Sequence, residues 1–150
     1  MKFNYFDVGN KIKEVCGLDR EVLKGIHPVL HWLQAEFVDC TEEGKLTLAY
    51  PVLECQRNGL FAMQGGIITT CIDNNYGLFM QELHYGNDIV SINITTHFHN
   101  EVTKDKSKIW VISRVVKRGK RVMHLAAEVF DENKDLIASS SGNFMIIDRA

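Results

Sequence analysis

The sequence predicts an α+β fold in which one antiparallel sheet wraps around a single long helix. The segment 67–83 keeps apolar residues at helical spacing over a wide arc, which is typical of a helix buried against a sheet. The four segments after it are predicted to be strands, the first from its alternation and the second from its β-branched residues, and they have hairpin-like connections, which favours an antiparallel rather than a doubly wound sheet. One long helix among antiparallel strands most simply lies across one curved sheet.

Short helices are expected to lead into the sheet over about residues 1–33. Asp19 is placed to cap a helix over 20–24, because its side chain can accept a hydrogen bond from a free N–H of the first turn. Pro28 suits the first turn of a second short helix that ends at Leu33, since no hydrogen bond is lost at that position.

The first two strands are predicted to form a hairpin. Residues 45–50 alternate like a strand, and the turn signal Glu42-Glu43-Gly44 precedes them. The segment 34–40 is the expected partner strand. From Cys55 to Gly66 the sequence indicates an irregular loop with Asn-Gly and Gly-Gly pairs.

The C-terminal half is predicted to consist of strands. Gly86-Asn87-Asp88 is expected to end the helix, and polar turns are expected at 117–120 and 131–135. The predicted strands are 90–98, 109–116, 122–130 and 136–147. No linker or repeat interrupts the sequence, so residues 1–150 are expected to form a single domain.

Length and composition agree with one ordinary globular domain. The chain has 150 residues, of which 45% are hydrophobic and 24% are charged, and a domain typically has about 150 residues. This balance excludes disorder and low complexity. The formal net charge is −2, from 17 Lys and Arg against 19 Asp and Glu. Neither nucleic acid nor a membrane is therefore an expected partner.

The chain is expected to work in the cytoplasm. No apolar run approaches the ~20 residues that span a bilayer, and residues 1–7 lack the apolar core of a secretory signal. The cysteines form no CxxC pair, which argues against a disulfide framework or a zinc ribbon. We expect reduced, mostly buried thiols at Cys16, Cys40, Cys55 and Cys71.

The residues that indicate chemistry lie between 57 and 74. Gly65 and Gly66 open the predicted helix, and free backbone N–H groups there could bind an anion or a developing oxyanion. Asp73 places a carboxylate about two turns inside an apolar helix, where burial without a purpose is costly. The alternatives are a tight turn at the glycines and an exposed or hydrogen-bonded carboxylate at Asp73.

The spacing of these residues has a consequence for assembly. Gly65 and Asp73 are eight positions apart, so they are separated by about 12 Å along one helix. They cannot both contact one carbonyl group within a single chain. If both act on one group, two copies of the helix must pack antiparallel across a two-fold axis, and the protein must be at least a dimer.

This stretch resembles the hot-dog-fold acyl-CoA thioesterases, in particular the phenylacetate-degradation type. Their pattern is Asn-Gly, a His-Gly-Gly six residues after the Asn, and an Asp nine residues after the His. Here Asn58-Gly59 is followed by Gln64-Gly65-Gly66 and Asp73, and Ser91 matches a Ser or Thr at the start of the next strand. The resemblance covers about residues 33–147 and implies a hot-dog fold.

The resemblance implies hydrolysis of an acyl-CoA to free acid and CoA, without a cofactor beyond the CoA of the substrate. The backbone N–H of Gly65 would polarise the thioester carbonyl, and Asp73 of the other subunit would act as nucleophile or as base for water. Asn58 would orient the water or the carbonyl, and Ser91 would hold the water or the carboxylate. The implied assembly is a homodimer, and further a dimer of dimers.

The sequence departs from the family pattern at two places. Gln64 stands where the family has a histidine, so an amide must replace the imidazole. The segment 100–104 lacks the Pro and Gly that the family commonly has after the strand beginning at Ser91, and this changes the expected channel for CoA.

Basic residues near a hairpin are candidates for binding the phosphates of CoA. With Gly66, the predicted substrate-binding residues are Lys117, Arg118 and Lys120. The alternative is a solvated turn that protects the strand ends. The second basic cluster, Lys104, Lys106 and Lys108, is open to the same two interpretations.

Other patterns carry less functional information. His27 and His31 have a spacing that suits metal ligands on a helix, but no carboxylate or cysteine pattern accompanies them, so packing or surface roles are favoured. His97 and His99 share a strand face without a third ligand, and we predict no metal. The segment 139–142 lacks the strand–turn–helix setting of a hydrolase nucleophile and indicates a small-residue strand that packs closely.

There are two alternative functions. An acyl-CoA hydratase or dehydratase needs a histidine near the start of the helix, and none lies between His31 and His84, so this function is disfavoured. A non-catalytic acyl-CoA-binding protein is compatible with Gln64. The acyl pocket is expected between the loop 60–63 and a helix face at Tyr76, Phe79 and Met80. These side chains favour an apolar or aromatic acyl group.

Overall fold

The structure is a computed structural model, and it describes residues 4–84 and 87–148. Within these residues the chain forms four α-helices and six strands. In chain order they are α1 (Tyr5–Cys16), α2 (Arg20–Ile26), α3 (Pro28–Leu33), β1 (Glu36–Cys40), β2 (Lys45–Pro51), α4 (Gly65–Leu83), β3 (Asp88–Phe98), β4 (Lys108–Arg118), β5 (Val122–Phe130) and β6 (Leu136–Ile147). The predicted α+β class is confirmed, and so is the long helix packed on an antiparallel sheet.

The six strands form one sheet in the order β1-β2-β4-β5-β6-β3. All neighbouring strands are antiparallel. The expectation of hairpin-like connections throughout the C-terminal half is wrong at one point, because β3 pairs with β6 rather than with β4. The helix α4 lies across β2, β4 and β3. After α4 the chain enters β3, which is the edge strand opposite β1. The segment 99–107 then returns the chain to the middle of the sheet.

The lead-in helices and the turns fall close to their predicted positions. The Asp19 carboxylate accepts from the N–H of Glu21 at 3.0 Å, and Pro28 occupies the first turn of α3. Lys117 and Arg118 still belong to β4, so the predicted turn over 117–120 begins only after them. Gly86, in the predicted end of the long helix, lies outside the described residues. No described helix is long and apolar enough to cross a membrane.

The core lies between α4 and the sheet. The fully buried residues of α4 include Cys71, Ile72, Tyr76, Phe79 and Met80. A Cβ atom built at Gly142 would lie 2.9 Å from the Tyr76 ring, so β6 approaches the helix closely only because it has no side chain there. The prediction of a closely packing small-residue strand is confirmed.

Buried hydrogen bonds fix the rotation of α4 about its axis. The Asn75 side chain, which is fully buried, donates to Ser113 Oγ at 2.6 Å and accepts from the Tyr50 hydroxyl at 3.3 Å. Asn74 Nδ2 donates to the same hydroxyl at 3.3 Å. Successive helical residues are about 100° apart, so Asp73, two positions before Asn75, lies on the side of α4 that faces away from this network.

Candidate active site

The loop before α4 is shaped by Asn58. Its Oδ1 accepts from the backbone N–H groups of Leu60 at 2.9 Å and Ala62 at 3.2 Å. The loop also holds Phe61 at a φ of 62°, which is unfavourable for an aromatic residue. Because the Asn58 oxygen is engaged with the loop, its Nδ2 group is the part of the side chain that can reach a ligand.

Arg57 fastens this loop to the segment between β3 and β4. Its guanidinium donates to the Phe61 carbonyl oxygen at 2.7 Å and to the Thr103, Lys104 and Lys106 carbonyl oxygens at 3.2–3.4 Å. The side chain is only 10% exposed and also pairs with Glu54 at 3.4 Å. This cation therefore determines where the loop lies relative to the start of α4.

The helix α4 begins at Gly65, with Gln64 as its N-cap. The first N–H groups of a helix have no partner within the helix, so those of Gly65 and Gly66 are available at this end. The exposed Gln64 side chain makes no capping hydrogen bond. A Cβ atom at Gly65 would lie 3.0 Å from the ring of Phe98, which places this β3 side chain over the helix start.

Asp73 and Ser91 line the same cavity, which has a volume of about 510 Å³. Asp73 is half-buried, and this burial raises the pKa of its carboxyl above the ordinary value of 3.8. The cavity lies between α4, the junction of α2 and α3, the start of β3, and β6. Its other lining residues include His27, Leu30, Asn74, Gly77, Leu78, Gln81, Asp88 and Phe144.

The structure does not bring all predicted site residues together within one chain. Asn58, Gln64, Gly65 and Gly66 are absent from the lining of the cavity that holds Asp73. Their end of α4 lies about 12 Å along the helix from Asp73, at eight residues of separation. One chain therefore has two separate half-sites, one with free N–H groups and one with a carboxylate.

The predicted CoA-binding residues lie at the opposite end of α4 from Gly65. Burial lowers the pKa of His84, the C-cap of α4, and the nearby guanidinium of Arg118 lowers it further. Lys117 and Lys120, which are near Arg118 in the sequence, are exposed. In the second basic cluster, Lys106 pairs with Asp131 at 3.4 Å and Lys108 with Glu36 at 2.8 Å.

The expectation that the acyl group binds at the Tyr76, Phe79 and Met80 face of α4 is wrong. Tyr76, Phe79 and Met80 are completely buried against the sheet, because the Asn75 hydrogen bonds turn that face toward the core. The face that borders open space is the one that carries Asp73 and Gly77. Among the described residues, no group of three or more His, Cys, Asp or Glu side chains could hold a metal ion.

Sequence reasoning missed three residues of this region. His27, interpreted as a packing or surface residue, lines the Asp73 cavity, and no local pattern linked the two. Arg57 was not singled out because three of the four backbone carbonyls that it contacts are 46–49 positions away. Gly77 could have been noticed, since a glycine inside a helical pattern lowers helix propensity and indicates a packing or functional reason.

Comparison with known proteins identifies the class of this fold and site. The chain belongs to the thioesterase superfamily, whose family pattern matches residues 62–138, just over half of the sequence. The expected resemblance to hot-dog acyl-CoA thioesterases is confirmed, and the fold is the hot-dog fold. No curated protein matches the chain.

Solved structures with the same fold include thioesterases from bacteria. A Haemophilus influenzae thioesterase superposes with a TM-score of 0.75 at 16% identity, covering 87% of this chain and 92% of its own. The Escherichia coli PaaI protein of the phenylacetic acid degradation operon has a TM-score of 0.74 at 14% identity, covering 91% and 96%. A Streptococcus mutans protein solved with acetyl-CoA has a TM-score of 0.68 at 17% identity, covering 77% and 91%.

Proposed function

We propose that the protein hydrolyses an acyl-CoA thioester to the free acid and CoA at a site shared by two subunits. The observation that carries this proposal is the pair of half-sites on α4. A thioesterase needs both an oxyanion donor and a carboxylate, and here these groups lie about two turns apart on one helix. Two antiparallel copies of α4 would bring the donor of one chain to the carboxylate of the other.

The proposed chemistry uses the groups of both half-sites. Water adds to the thioester carbonyl carbon while Asp73 accepts its proton, and the oxyanion accepts hydrogen bonds from the partner's Gly65 N–H. The C–S bond then breaks, and the CoA thiolate takes up the proton that Asp73 had accepted. Alternatively, the Asp73 carboxylate attacks the carbonyl carbon and expels the CoA thiolate, and water then hydrolyses the resulting anhydride to the free acid and the carboxylate. Asn58 Nδ2 would orient the carbonyl or the water, and Ser91 would hold the water or the carboxylate.

The edge strand β3 supports the proposed dimer. It pairs with β6 on one side only, and its apolar side chains Val90, Ile92 and Phe98 are 45–51% exposed. A long edge strand with exposed apolar residues is a template for pairing with another strand. Pairing of two β3 strands about a two-fold axis would place the two α4 helices side by side and antiparallel. We further propose that two such dimers associate.

The CoA portion of the substrate would bind to both chains. In an antiparallel pair, the C-terminal end of one α4 lies toward the N-terminal end of the other. Lys117, Arg118 and Lys120 of one chain could then meet the CoA phosphates of a substrate bound at the partner's Gly65 and Gly66. The reaction needs no cofactor beyond CoA itself. We propose a cytoplasmic setting, which the free thiols of the four cysteines support.

Thiol release from a panel of acyl-CoAs tests the proposed function. The panel contains acetyl-, hexanoyl-, octanoyl-, palmitoyl- and phenylacetyl-CoA, and the protein is first shown to be folded and dimeric or tetrameric. The proposal predicts turnover of at least one member. Folded oligomer that hydrolyses none of them would contradict it.

A second candidate is a protein that binds acyl-CoA without hydrolysing it. It is favoured by Gln64, whose neutral amide replaces the family histidine at the start of α4 and forms no capping hydrogen bond. Tight binding of a non-hydrolysable acyl-CoA thioether, without turnover of the matching thioester, would select this candidate over the enzyme.

Gln64 gives a prediction about pH dependence. An amide does not titrate, whereas an imidazole does so near ~6.5. We expect Gln64→His to remain active and to add a limb near neutral pH to the rate profile. Gln64→Ala should lose only a group that orients the reactants and should keep the carboxylate. Its loss of kcat should therefore be smaller than that of Asp73→Asn. If Gln64→Ala were as inactive as Asp73→Asn in intact oligomer, Asp73 would not be the central group.

A further inference from the structure

The segment 99–107, which connects β3 to β4, holds the loop before α4. The Met63 N–H donates to the Val102 carbonyl oxygen at 3.0 Å, and Val102 is completely buried. The Arg57 guanidinium donates to three further carbonyl oxygens of this segment. The position of the loop, and of Asn58 within it, therefore depends on where the segment 99–107 lies.

This segment contains no helix or strand, and side chains attach it to the turn between β5 and β6. Lys106 Nζ lies 3.4 Å from Asp131 Oδ2, and the two side chains are only 13% and 4% exposed. The other oxygen of Asp131 accepts from two backbone N–H groups of its own turn at 2.9 and 3.0 Å, so the turn fixes this carboxylate. The exposed Glu132 of the same turn accepts from the Ser107 N–H and hydroxyl, both at 2.6 Å.

Burial distinguishes Lys106 from the other ion-paired lysine of the second basic cluster. Lysine is almost never buried unless it is paired, and Lys106 meets that condition through Asp131. Lys108 is 32% exposed, and its partner Glu36 is 59% exposed. Exposed pairs contribute little, whereas breaking a buried pair is strongly destabilising. The buried pair, rather than the exposed one, is therefore suited to anchor the segment.

We propose that Lys106 and Asp131 are positioning residues for the proposed hydrolysis of acyl-CoA. They act on Asn58 through Arg57. The ion pair holds the segment against the turn between β5 and β6, and the carbonyl oxygens of the segment then hold the loop. Neither charged group touches the substrate, so the turn contributes to catalysis only through these contacts. This inference rests on the proposed thioesterase function.

The test removes both charges at once and compares stability, opening of the loop, and activity. The double variant Lys106→Met/Asp131→Asn leaves no buried charge unpaired, and asparagine can still accept the two hydrogen bonds of the turn. Its melting temperature should therefore exceed that of Lys106→Met, in which a buried carboxylate lacks its cation. Amide hydrogen exchange at Met63 should nevertheless be at least about tenfold faster than in the unchanged protein, because the loop opens locally. We expect kcat to be lower by about 10- to 100-fold, because a misplacement of ~1 Å can cost 10²-fold.

Three comparisons separate positioning from overall stability. Lys106→Arg keeps a cation beside Asp131 and should retain most of the kcat. Glu36→Gln breaks the exposed pair with Lys108 and should leave both the exchange at the loop and kcat unchanged. Added to Arg57→Met, the double variant should lower kcat little further, because residues that act through one contact have non-additive effects.

The outcomes separate this inference from the proposed function. Absence of turnover by the unchanged protein contradicts the thioesterase itself, while hydrogen exchange at Met63 still reports whether the ion pair holds the loop. Unchanged exchange in the double variant overturns the inference. A kcat that recovers together with the melting temperature overturns it as well, because the pair would then act on stability alone. An additive loss of kcat with Arg57→Met would show that the pair does not act through Arg57.

Discussion

Replacing Asp73 by asparagine is expected to lower kcat by a factor of about 10²–10⁴, the usual contribution of a positioned acid or base. The amide has almost the same shape but can neither accept the proton of water nor attack the carbonyl carbon. In the unchanged protein, activity should fall at low pH as Asp73 becomes protonated. Because burial raises the pKa of this carboxyl, the fall should occur at a higher pH than for an ordinary aspartate. Steady-state rates of thiol release measure both effects.

The same variant is expected to be at least as stable as the unchanged protein at neutral pH. The pKa of Asp73 is raised above 3.8 by burial, so ionisation is less favourable in the folded chain than in the unfolded chain. Ionised Asp73 therefore lowers the free energy of unfolding at neutral pH, and this cost disappears as the pH falls below 3.8. Urea denaturation at several pH values measures it, with the exposed Asp39→Asn as a control. Clear destabilisation at neutral pH would show that Asp73 has a structural role instead.

Replacing Arg57 by methionine is expected to cause the largest loss of stability among these variants, about 2–3 kcal/mol. The guanidinium forms hydrogen bonds with four backbone carbonyls, and methionine keeps the packing but leaves these oxygens without their donors. We also expect kcat to fall, since the loop that carries Asn58 would no longer be held against the segment 102–106. Denaturation and thiol release measure the two effects.

Two further variants control for charge and for the surface ion pair. Arg57→Lys keeps the charge but lacks the planar guanidinium group that donates several hydrogen bonds at once. Its stability and its kcat should therefore lie between those of the unchanged protein and those of Arg57→Met. Glu54→Gln removes a partner that is 87% exposed, and such pairs contribute little. If Arg57→Met kept full stability and full kcat, Arg57 would not position the loop.

The sequence was most informative where structure depends on local patterns. The predicted strands 122–130 and 136–147 agree with β5 and β6 residue for residue, because polar turns at 117–120 and 131–135 mark where they begin and where β5 ends. The start of α4 and the position of Asp73 on it follow from the Gly-Gly pair and the helical period. Periodicity does not identify strand neighbours, however, so the pairing of β3 with β6 could not be predicted from it.

The part of the site that depends on distant residues could not be predicted. The helix α4 is apolar over a wide arc, and hydrogen bonds of Asn75 with Tyr50 and Ser113 help to set its rotation against the sheet. These partners are 25 and 38 positions away. The sequence-based expectation placed the acyl group against Tyr76 and Phe79, which the structure buries completely in the core. The position of His27 in the lining of the Asp73 cavity depends in the same way on how α2 and α3 pack beside α4.

Complementation between two inactive variants tests the shared site most directly. Asp73→Asn removes the carboxylate, and Gly65→Leu places a side chain at the N–H groups that start α4. In a mixed dimer with a shared site, one site has both defects and the other has neither. Equal amounts unfolded together and refolded should therefore recover about a quarter of the activity of the unchanged protein, since half of the dimers are mixed and each has one intact site. If the mixture stays as inactive as the separate variants although mixed dimers form, the carboxylate and the N–H groups do not act across the subunit boundary.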